Sequence, residues 1–350
     1  MIIHSKFTGG NISILSQNEN EVFLDSDMRD STGTWFYWAF CVEGAAGTTL
    51  RFHFPKTRIG YWGPAVSTDL KEWHWLHETA ETSFTYHFSE QENRVYFAHH
   101  MLYPVERFTA LAERHGLSIG ALCQSRKGRS VPCLRFGEGE QTLILTARHH
   151  ACESTGSYVL EGVLDELISS PPKNLRVLCV PFVDYDGVID GDQGKNRAPH
   201  DHNRDYLDTP LYPEVAAILA FANQYGCHLG FDFHSPYHKG HEHDTIFIVR
   251  NREDRIAEFD RFSSLLEREC NADTMLYRTE NDLAPNEKWN KQSEPITFGR
   301  AMHSRPECRL AFSLESTYFG TEENRTEVKR LISLGKAFAR AIKKYWEEEK

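Results

Sequence analysis

The stretch "QTLILTARHHACESTGSYVLEGVLDELI" (residues 141–168) joins an apolar run, a polar turn and a helical pattern. Its first part, "QTLILTA", has the length and composition of a core strand. In its last part, apolar residues recur at helical spacing from Val159 to Leu167. The turn between them carries His150 and Glu153, which are costly to bury without partners. It therefore predicts a metal site, a catalytic pair or a solvated polar rim.

The same alternation continues toward the C-terminus. Strand-like runs such as "LRVLCVPFV", "HLGFDFH" and "LAFSLES" alternate with helical segments such as "YPEVAAILAFANQYG". This order predicts an α/β fold in which helices cover both faces of a sheet. Ligands of such sheets usually bind beyond the C-terminal ends of the strands, and the polar turn follows such an end.

The first hundred residues have a different composition. Short aromatic segments such as "TWFYWAFCVEG" and "NRVYFAHHM" are separated by turn residues, a pattern typical of all-β structure. We therefore expect a small β-sandwich at residues 1–101 and a second domain at residues 102–350. The aromatic side chains could form a carbohydrate-binding platform, although aromatic residues more often pack in the core.

Composition and charge exclude several classes of protein. The 350 residues carry a formal net charge of −11 without a basic stripe, which argues against nucleic acid as a partner. The apolar runs are strand-sized, and the N-terminus lacks a basic start before an apolar core, so we expect no membrane helix and no secretion signal. Eight singly scattered cysteines predict reduced thiols in a cytoplasmic protein.

Polar residues collect at the C-terminal ends of four predicted strands. They are His150, Glu153, Asp184, Asp232, His234 and Glu315. His150 and Glu153 are three positions apart, so one tight turn brings both to the same side. With His234 they would make the set of two imidazoles and one carboxylate that zinc hydrolases use. A His-x-x-Glu pair alone is weak, because such pairs also occur by chance on solvated helices.

Five segments in order make the pattern specific. They are "ARHHACESTGSYVLEG", "PFVDYDGVIDGD", "HDHNRDY", "DFHSPY" and "FSLESTYFG". Their order and spacing resemble those of the zinc carboxypeptidases, and most of all the subgroup called cytosolic carboxypeptidases, many of which remove glutamates from protein tails. The resemblance spans nearly the whole chain. It implies a mixed sheet flanked by helices, with the catalytic domain at residues 102–350 preceded by the β-sandwich.

The resemblance also implies the metal site. His150, Glu153 and His234 would bind one zinc ion per chain, which would lower the pKa of a bound water molecule to about 7. Glu315, in "FSLES", matches the general base that takes a proton from this water.

Further residues match the substrate-binding positions of the family. Asn203 and Arg204, in "HDHNRDY", match the pair that holds the terminal carboxylate of the substrate, a task that suits the planar guanidinium. Arg197 is the candidate for stabilising the oxyanion. Lys195 is its rival, and a surface position for Arg197 is an alternative.

Arg300 is the candidate for side-chain specificity. It stands in "TFGRAM", 15 positions before Glu315 (315 − 300), where an arginine of the cytosolic relatives receives an acidic C-terminal side chain. A cation there would favour glutamate or aspartate. The alternative is that Arg300 pairs with a surface carboxylate such as Glu294 or Glu307.

Two departures from the family pattern concern the floor of the site. Ala151 and Cys152 replace a Pro-Gly pair between the expected metal ligands, and "VDYDGV" has Asp184 and Tyr185 where Asn-Pro is usual. Neither change removes a ligand, but both alter the shape of the site.

The leading hypothesis is a zinc metallocarboxypeptidase that cleaves the last, acidic residue from a peptide or protein tail. An aspartoacylase-like amidohydrolase would use a similar zinc site on N-acylated amino acids. A catalytically silent protein that binds peptides or carbohydrates is the third hypothesis.

Overall fold

Residues 1–29, 31, 35–77, 80–291 and 296–347 are described by the computed structural model. Within them, the N-terminal part forms two sheets, with strand orders β1-β4-β9-β6-β7 and β2-β3-β5-β8. The strands are β1 (Ile2–His4), β2 (Ser13–Asn18), β3 (Glu21–Asp25), β4 (Ala39–Glu43), β5 (Thr49–His53), β6 (Ala65–Ser67), β7 (His74–Trp75), β8 (Ser83–His87) and β9 (Arg94–Ala98).

The expected β-sandwich is therefore present, and its aromatic residues form its core. Trp38, Phe40, Phe52, Phe84 and Phe97 are fully buried and pack together. Of the aromatic residues expected for a carbohydrate platform, Trp35, Tyr37, Trp38 and Trp75 are buried, so these four rings offer no such surface.

A seven-stranded mixed sheet follows, with the order β10-β11-β13-β12-β14-β16-β15. Its strands are β10 (Gly120–Gln124), β11 (Ser130–Phe136), β12 (Gln141–Ala147), β13 (Leu175–Val180), β14 (Leu229–His234), β15 (Phe247–Val249) and β16 (Leu310–Glu315). The four central strands β13, β12, β14 and β16 run parallel. Their C-terminal ends therefore meet at one edge of the sheet.

Helices cover this sheet, as the alternating pattern predicts. They are α1 (Val105–Arg114), α2 (Ser154–Ser169), α3 (Tyr185–Asp190), α4 (Pro213–Tyr225), α5 (Ile256–Glu269), α6 (Phe298–His303) and α7 (Val328–Glu347). Among the described residues, no helix combines the length and the apolar character needed to cross a membrane.

One buried cluster is shared by the sandwich and the α/β part, in addition to the sandwich's own core. A single buried cluster contains Trp35 and Trp75 of the sandwich together with Phe231 and Phe338 of the α/β part. Trp75 Nε1 also donates a hydrogen bond to Thr326 O across the junction, at 2.8 Å. The boundary at residue 101 remains a prediction; β9 ends at Ala98, and α1 begins at Val105.

Candidate active site and metal centre

Three adjacent parallel strands bring the expected metal ligands and the expected base together. His150 and Glu153 lie in the turn after β12, His234 ends β14, and Glu315 ends β16. The backbones of His234 and Glu315 are direct neighbours in the ladder between β14 and β16. Residues separated by up to 165 positions (315 − 150) in the sequence thus lie at one place.

His150, Glu153 and His234 form a compact set of donors. One ligand atom from each lies within 4.8 Å of the other two, and all three residues are buried. Nδ1 of His150 and Nδ1 of His234 each lie 2.7 Å from a different oxygen of the Glu153 carboxylate. Two imidazoles and a carboxylate that converge in this way fit a zinc ion.

The remaining ring nitrogens face carboxylates, as is usual for metal-binding histidines. His234 Nε2 is hydrogen-bonded to Asp232, and His150 Nε2 lies 3.5 Å from Asp201 Oδ2. These contacts orient each imidazole with Nδ1 toward Glu153. The role of Asp201 was not foreseen, because only the fold brings it beside His150.

The environment keeps the metal-ligand carboxylate ionised and opposes ionisation of the base. Burial alone would raise the pKa of Glu153, but His150, Lys195 and His234 hold it well below its ordinary value. Burial raises the pKa of Glu315, and the Glu153 carboxylate adds to the rise, while His234 opposes it. The pKa values of the two carboxyl groups are therefore shifted in opposite directions: that of Glu153 is lowered and that of Glu315 is raised.

A cavity of about 420 Å³ opens at these residues. Its lining includes the four residues His150, Glu153, His234 and Glu315 together with the predicted substrate residues Asn203, Arg204 and Arg300. Four cations line it as well: Lys195, Arg204, Lys291 and Arg300. A chain of net charge −11 thus carries a cavity with a local excess of cationic side chains.

The predicted carboxylate anchor lies on a short 3₁₀ helix, His202–Arg204. Asn203 Oδ1 accepts a hydrogen bond from Phe298 N at 3.1 Å, and its Nδ2 lies 3.5 Å from His234 Nε2. Arg204 Nη1 lies 3.4 Å from His150 Nε2, and its side chain is 36% exposed. The amide and the guanidinium therefore both lie beside the histidine ligands.

Arg197 does not line the cavity, contrary to its expected role at the oxyanion. Its Nη1 lies 2.6 Å from Asp184 Oδ2 and its Nη2 2.9 Å from Asp192 Oδ2. Lys195 lines the cavity instead, with Nζ 2.6 Å from Glu153 Oε1. The two aspartates hold Arg197 in an ion-pair network, and its surface-loop alternative is also incorrect because only 12% of its side chain is exposed.

Arg300 lines the cavity, as the acidic-pocket hypothesis requires. Its Nη2 donates to the carbonyl oxygen of Lys291 and lies 3.4 Å from Asn290 Oδ1. Of the two carboxylates considered as alternative partners, Glu294 lies outside the described residues. Glu307 instead accepts a hydrogen bond from Cys227 N at 3.2 Å.

A second buried network supports the histidine ligands. Asp232 accepts from both His149 Nδ1, at 2.9 Å, and His234. His149 Nε2 in turn contacts Tyr206 Oη at 2.7 Å. The adjacent histidines His149 and His150 thus face different partners, as neighbouring residues of an extended segment do.

Comparisons with known proteins agree with this geometry. Residues 3–100 match the family model described as the cytosolic carboxypeptidase N-terminal domain. The fold matches a metallo-carboxypeptidase of Burkholderia cenocepacia with a TM-score of 0.83, 19% identity and full coverage of both chains. A metallo-carboxypeptidase of Pseudomonas aeruginosa gives a TM-score of 0.80, 20% identity and the same coverage.

The chain resembles the cytosolic carboxypeptidases in sequence and has the metallocarboxypeptidase fold. Cytosolic carboxypeptidase 4 of Mus musculus is 24% identical over 277 residues, which are 59% of this chain and 24% of that protein. The chain thus corresponds to about a quarter of the length of this relative. The predicted resemblance to the cytosolic carboxypeptidases is confirmed, as are the metallocarboxypeptidase fold and the α/β fold class with a preceding β-sandwich.

Proposed function

We propose that the protein is a zinc carboxypeptidase that hydrolyses the last peptide bond of a peptide or protein tail and prefers an acidic C-terminal residue. The convergence of His150, Glu153 and His234 in one cavity with Glu315 carries this proposal. Zinc held by the three ligands would polarise the scissile carbonyl and acidify a water molecule. The remaining chemistry comes from side chains of the chain itself.

Glu315 is the proposed general base. It would accept a proton from the attacking water and then donate a proton to the leaving amine. Its burial supports this role, because the raised pKa makes the carboxylate a better proton acceptor than an exposed glutamate.

Asn203 and Arg204 are the proposed anchor for the terminal carboxylate. An exopeptidase must recognise the chain end, and a guanidinium donates two parallel hydrogen bonds to a carboxylate. The nearest acid to Arg204 is Asp201, at 3.7 Å, a separation that leaves the guanidinium able to bind a closer substrate carboxylate.

Lys195 is the proposed cation for the oxyanion, in place of Arg197. It lines the cavity next to Glu153, whereas Arg197 is committed to Asp184 and Asp192. A cation fixed beside the reacting carbonyl stabilises the negative charge that develops on its oxygen. Hydrogen bonds from Nζ to Ser235 O and Pro236 O, at 3.1 and 3.2 Å, would keep the ammonium in position.

The acidic preference rests on the cations of the cavity. Arg300 is the proposed partner of the substrate side chain, and Lys291 lies beside it. A glutamate or aspartate side chain would gain a charged partner there, whereas a basic side chain would be repelled.

A peptide panel that varies only in the last residue tests this function. The zinc-loaded protein should release C-terminal glutamate or aspartate faster than neutral or basic residues, and a chelator should abolish release until zinc is restored. Arg300→Ala should reduce cleavage after acidic residues and spare neutral ones. The control Arg278→Ala changes an exposed arginine outside the cavity that pairs with Glu267. Hydrolysis of N-acetylated amino acids but of no peptide would contradict the proposal.

The division into domains and the location in the cell are also proposals. Residues 1–101 and 102–350 are the proposed domains, supported by the strands of the sandwich ending at Ala98. All eight cysteines are free thiols, which supports a cytoplasmic location because oxidising compartments favour disulfides.

A further inference from the structure

A second cavity lies between the sandwich and the α/β part. Its volume is about 580 Å³, within the range of small-molecule sites. It shares no lining residue with the candidate active-site cavity. Phe7 and Tyr37 line it from the sandwich, and Leu102, Tyr103 and Val188 line it from the other side.

Arg148 brings a buried cation into this cavity. Its side chain lines the cavity, although the residue is only 5% exposed. Nε donates to Ala151 O at 2.6 Å, and Nη1 lies 3.5 Å from Ser157 Oγ. In the part of the chain that the structure describes, no carboxylate pairs with this guanidinium, and Nη2 has no acceptor. Both of its partners are neutral.

The other buried charges of the cavity are already paired. Glu161 accepts two hydrogen bonds from Arg107, at 2.6 and 3.1 Å. The Asp69 carboxylate is exposed, and it accepts hydrogen bonds from the backbone N–H groups of Lys71 and Glu72. Arg148 is therefore the buried charge that lacks a counter-ion, and a buried charge without one is strongly unfavourable.

We propose that this cavity binds a small organic anion, a carboxylate with an apolar body, whose carboxylate pairs with Arg148. The charge-assisted hydrogen bonds to the guanidinium would supply the polar contact. The aromatic and aliphatic walls would bury the rest of the ligand.

The position of Arg148 links this site to the metal-binding turn. The guanidinium holds Ala151 O, which lies between His150 and Glu153 in the chain. Arg148 also has a left-handed backbone, with φ of +61°, which is unfavourable for a residue with a Cβ. An anion that fixes this side chain would thus also fix the turn that carries two of the zinc ligands.

Binding of 3-phenylpropionate to the zinc-loaded protein tests the proposal. Because a carboxylate would also bind Arg204, calorimetric titration is made in the Arg204→Ala variant. One equivalent should bind, and Arg148→Met should weaken binding by about tenfold or more. Ala110→Trp fills the cavity from an exposed position of its wall and should weaken binding equally if Arg148→Met does not fold. The neutral analogue 3-phenylpropanol is the matched control.

Four outcomes would overturn the proposal. They are the absence of binding to Arg204→Ala at millimolar ligand, binding that neither cavity variant changes, equal affinity for the alcohol and the acid, and binding of inorganic phosphate in place of the carboxylate.

Discussion

The Glu315 side chain lies almost fully enclosed beside the proposed metal ligands. The residue is 8% exposed, and within the described residues its Oε2 has no hydrogen-bond partner. We expect Glu315→Gln to keep its zinc and to lower kcat by about a hundredfold to ten-thousandfold, because an amide cannot accept the proton. Zinc content by elemental analysis and kcat on a peptide that ends in glutamate measure the two effects. Full activity in this variant would contradict the assignment of Glu315 as the general base.

Lys195 and Arg197 should respond differently to truncation. We expect Lys195→Ala to lower kcat by about a hundredfold or more while the fold is kept, because the oxyanion loses its cation. Arg197→Ala should instead destabilise the protein by roughly 3 to 5 kcal/mol, because Asp184 is left buried and unpaired. Steady-state kinetics and thermal unfolding of both variants separate the roles. Normal stability with lost activity in Arg197→Ala would reverse the assignment.

Glu214 makes the stability of the fold depend on pH. Burial, with the Asp184 carboxylate adding to it, raises the pKa of Glu214 from 4.5 to about 7. The folded state therefore holds this proton more tightly than the unfolded state does. The stabilisation that the bound proton gives to the fold is complete below pH 4.5 and is lost as the pH rises through 7. As the pH rises from 4.5 to 7, the wild type should lose roughly 3 kcal/mol of unfolding free energy that Glu214→Gln, which does not titrate at this position, keeps.

Denaturant unfolding of both proteins on either side of that pH range checks the expectation. His202, whose Nε2 lies 3.8 Å from Glu214 Oε2, has a pKa that burial lowers to about 4. Because His202 is present in both proteins, the difference between their unfolding free energies reports on Glu214. A stability difference that does not change with pH would contradict the assigned pKa.

At the residue scale, the sequence motifs identified the candidate site residues, but they did not determine the direction in which every side chain points. His150 and Glu153 lie in the short turn directly after β12, and Glu315 ends β16, so the position of the motifs in the chain was enough to place all three at one edge of the sheet. Lys195 and Arg197 lie in an irregular loop, and Asn196 between them has a left-handed φ of +58°. The spacing of residues in the sequence does not determine which way side chains on either side of such a turn point. Lys195, the rival of Arg197, therefore lines the cavity.

At the element scale, most strands of the central sheet were predictable, but the two strands at one end of it were not. The prediction of a strand at "QTLILTA" is confirmed as β12, and "LAFSLES" contains β16. The strands Gly120–Gln124 and Ser130–Phe136 were missed, because they pair at one edge of the sheet and mix polar with apolar residues. The edge strand Gly120–Gln124 has no buried residue, so its hydrophobic pattern is weak, and Pro132 inside Ser130–Phe136 argues against a strand at the sequence level.

Two glycines set the contact between α2 and α7. A Cβ at Gly335 would lie 2.0 Å from Val159 O and 2.8 Å from the Cα of Gly162. Although alanine favours helices over glycine, Gly335→Ala should lower the free energy of unfolding by about 1 to 3 kcal/mol, because the helices are forced apart. Chemical denaturation measures this loss. Ser333→Ala, a small change on the same helix, is the control, and an equally stable Gly335→Ala would show that the crossing can relax.

At the scale of the whole molecule, the shared core predicts that the two parts unfold together. Trp75 Nε1 donates to Thr326 O across the junction, whereas Trp73 Nε1 is buried without an acceptor among the described residues. Calorimetry should give a single transition, and Trp75→Phe should cost about 1 to 3 kcal/mol because it leaves the Thr326 carbonyl unpaired. Trp73→Phe is the matched control and should cost less. Two separate transitions would show that the parts fold independently.

The pairing of His234 with Glu315 in neighbouring strands has an evolutionary consequence. A single inserted or deleted residue in β14 or β16 would reverse the side chains beyond it to the opposite face of the sheet. Selection should therefore keep the lengths of these strands constant. The loops that supply Tyr237 and Trp289 to the cavity carry no residue of the proposed reaction centre and are under no such constraint. Under the proposed function, descendants of this protein can thus change which peptide tails they accept by changing loop length, while the strands that carry the proposed reaction centre stay the same.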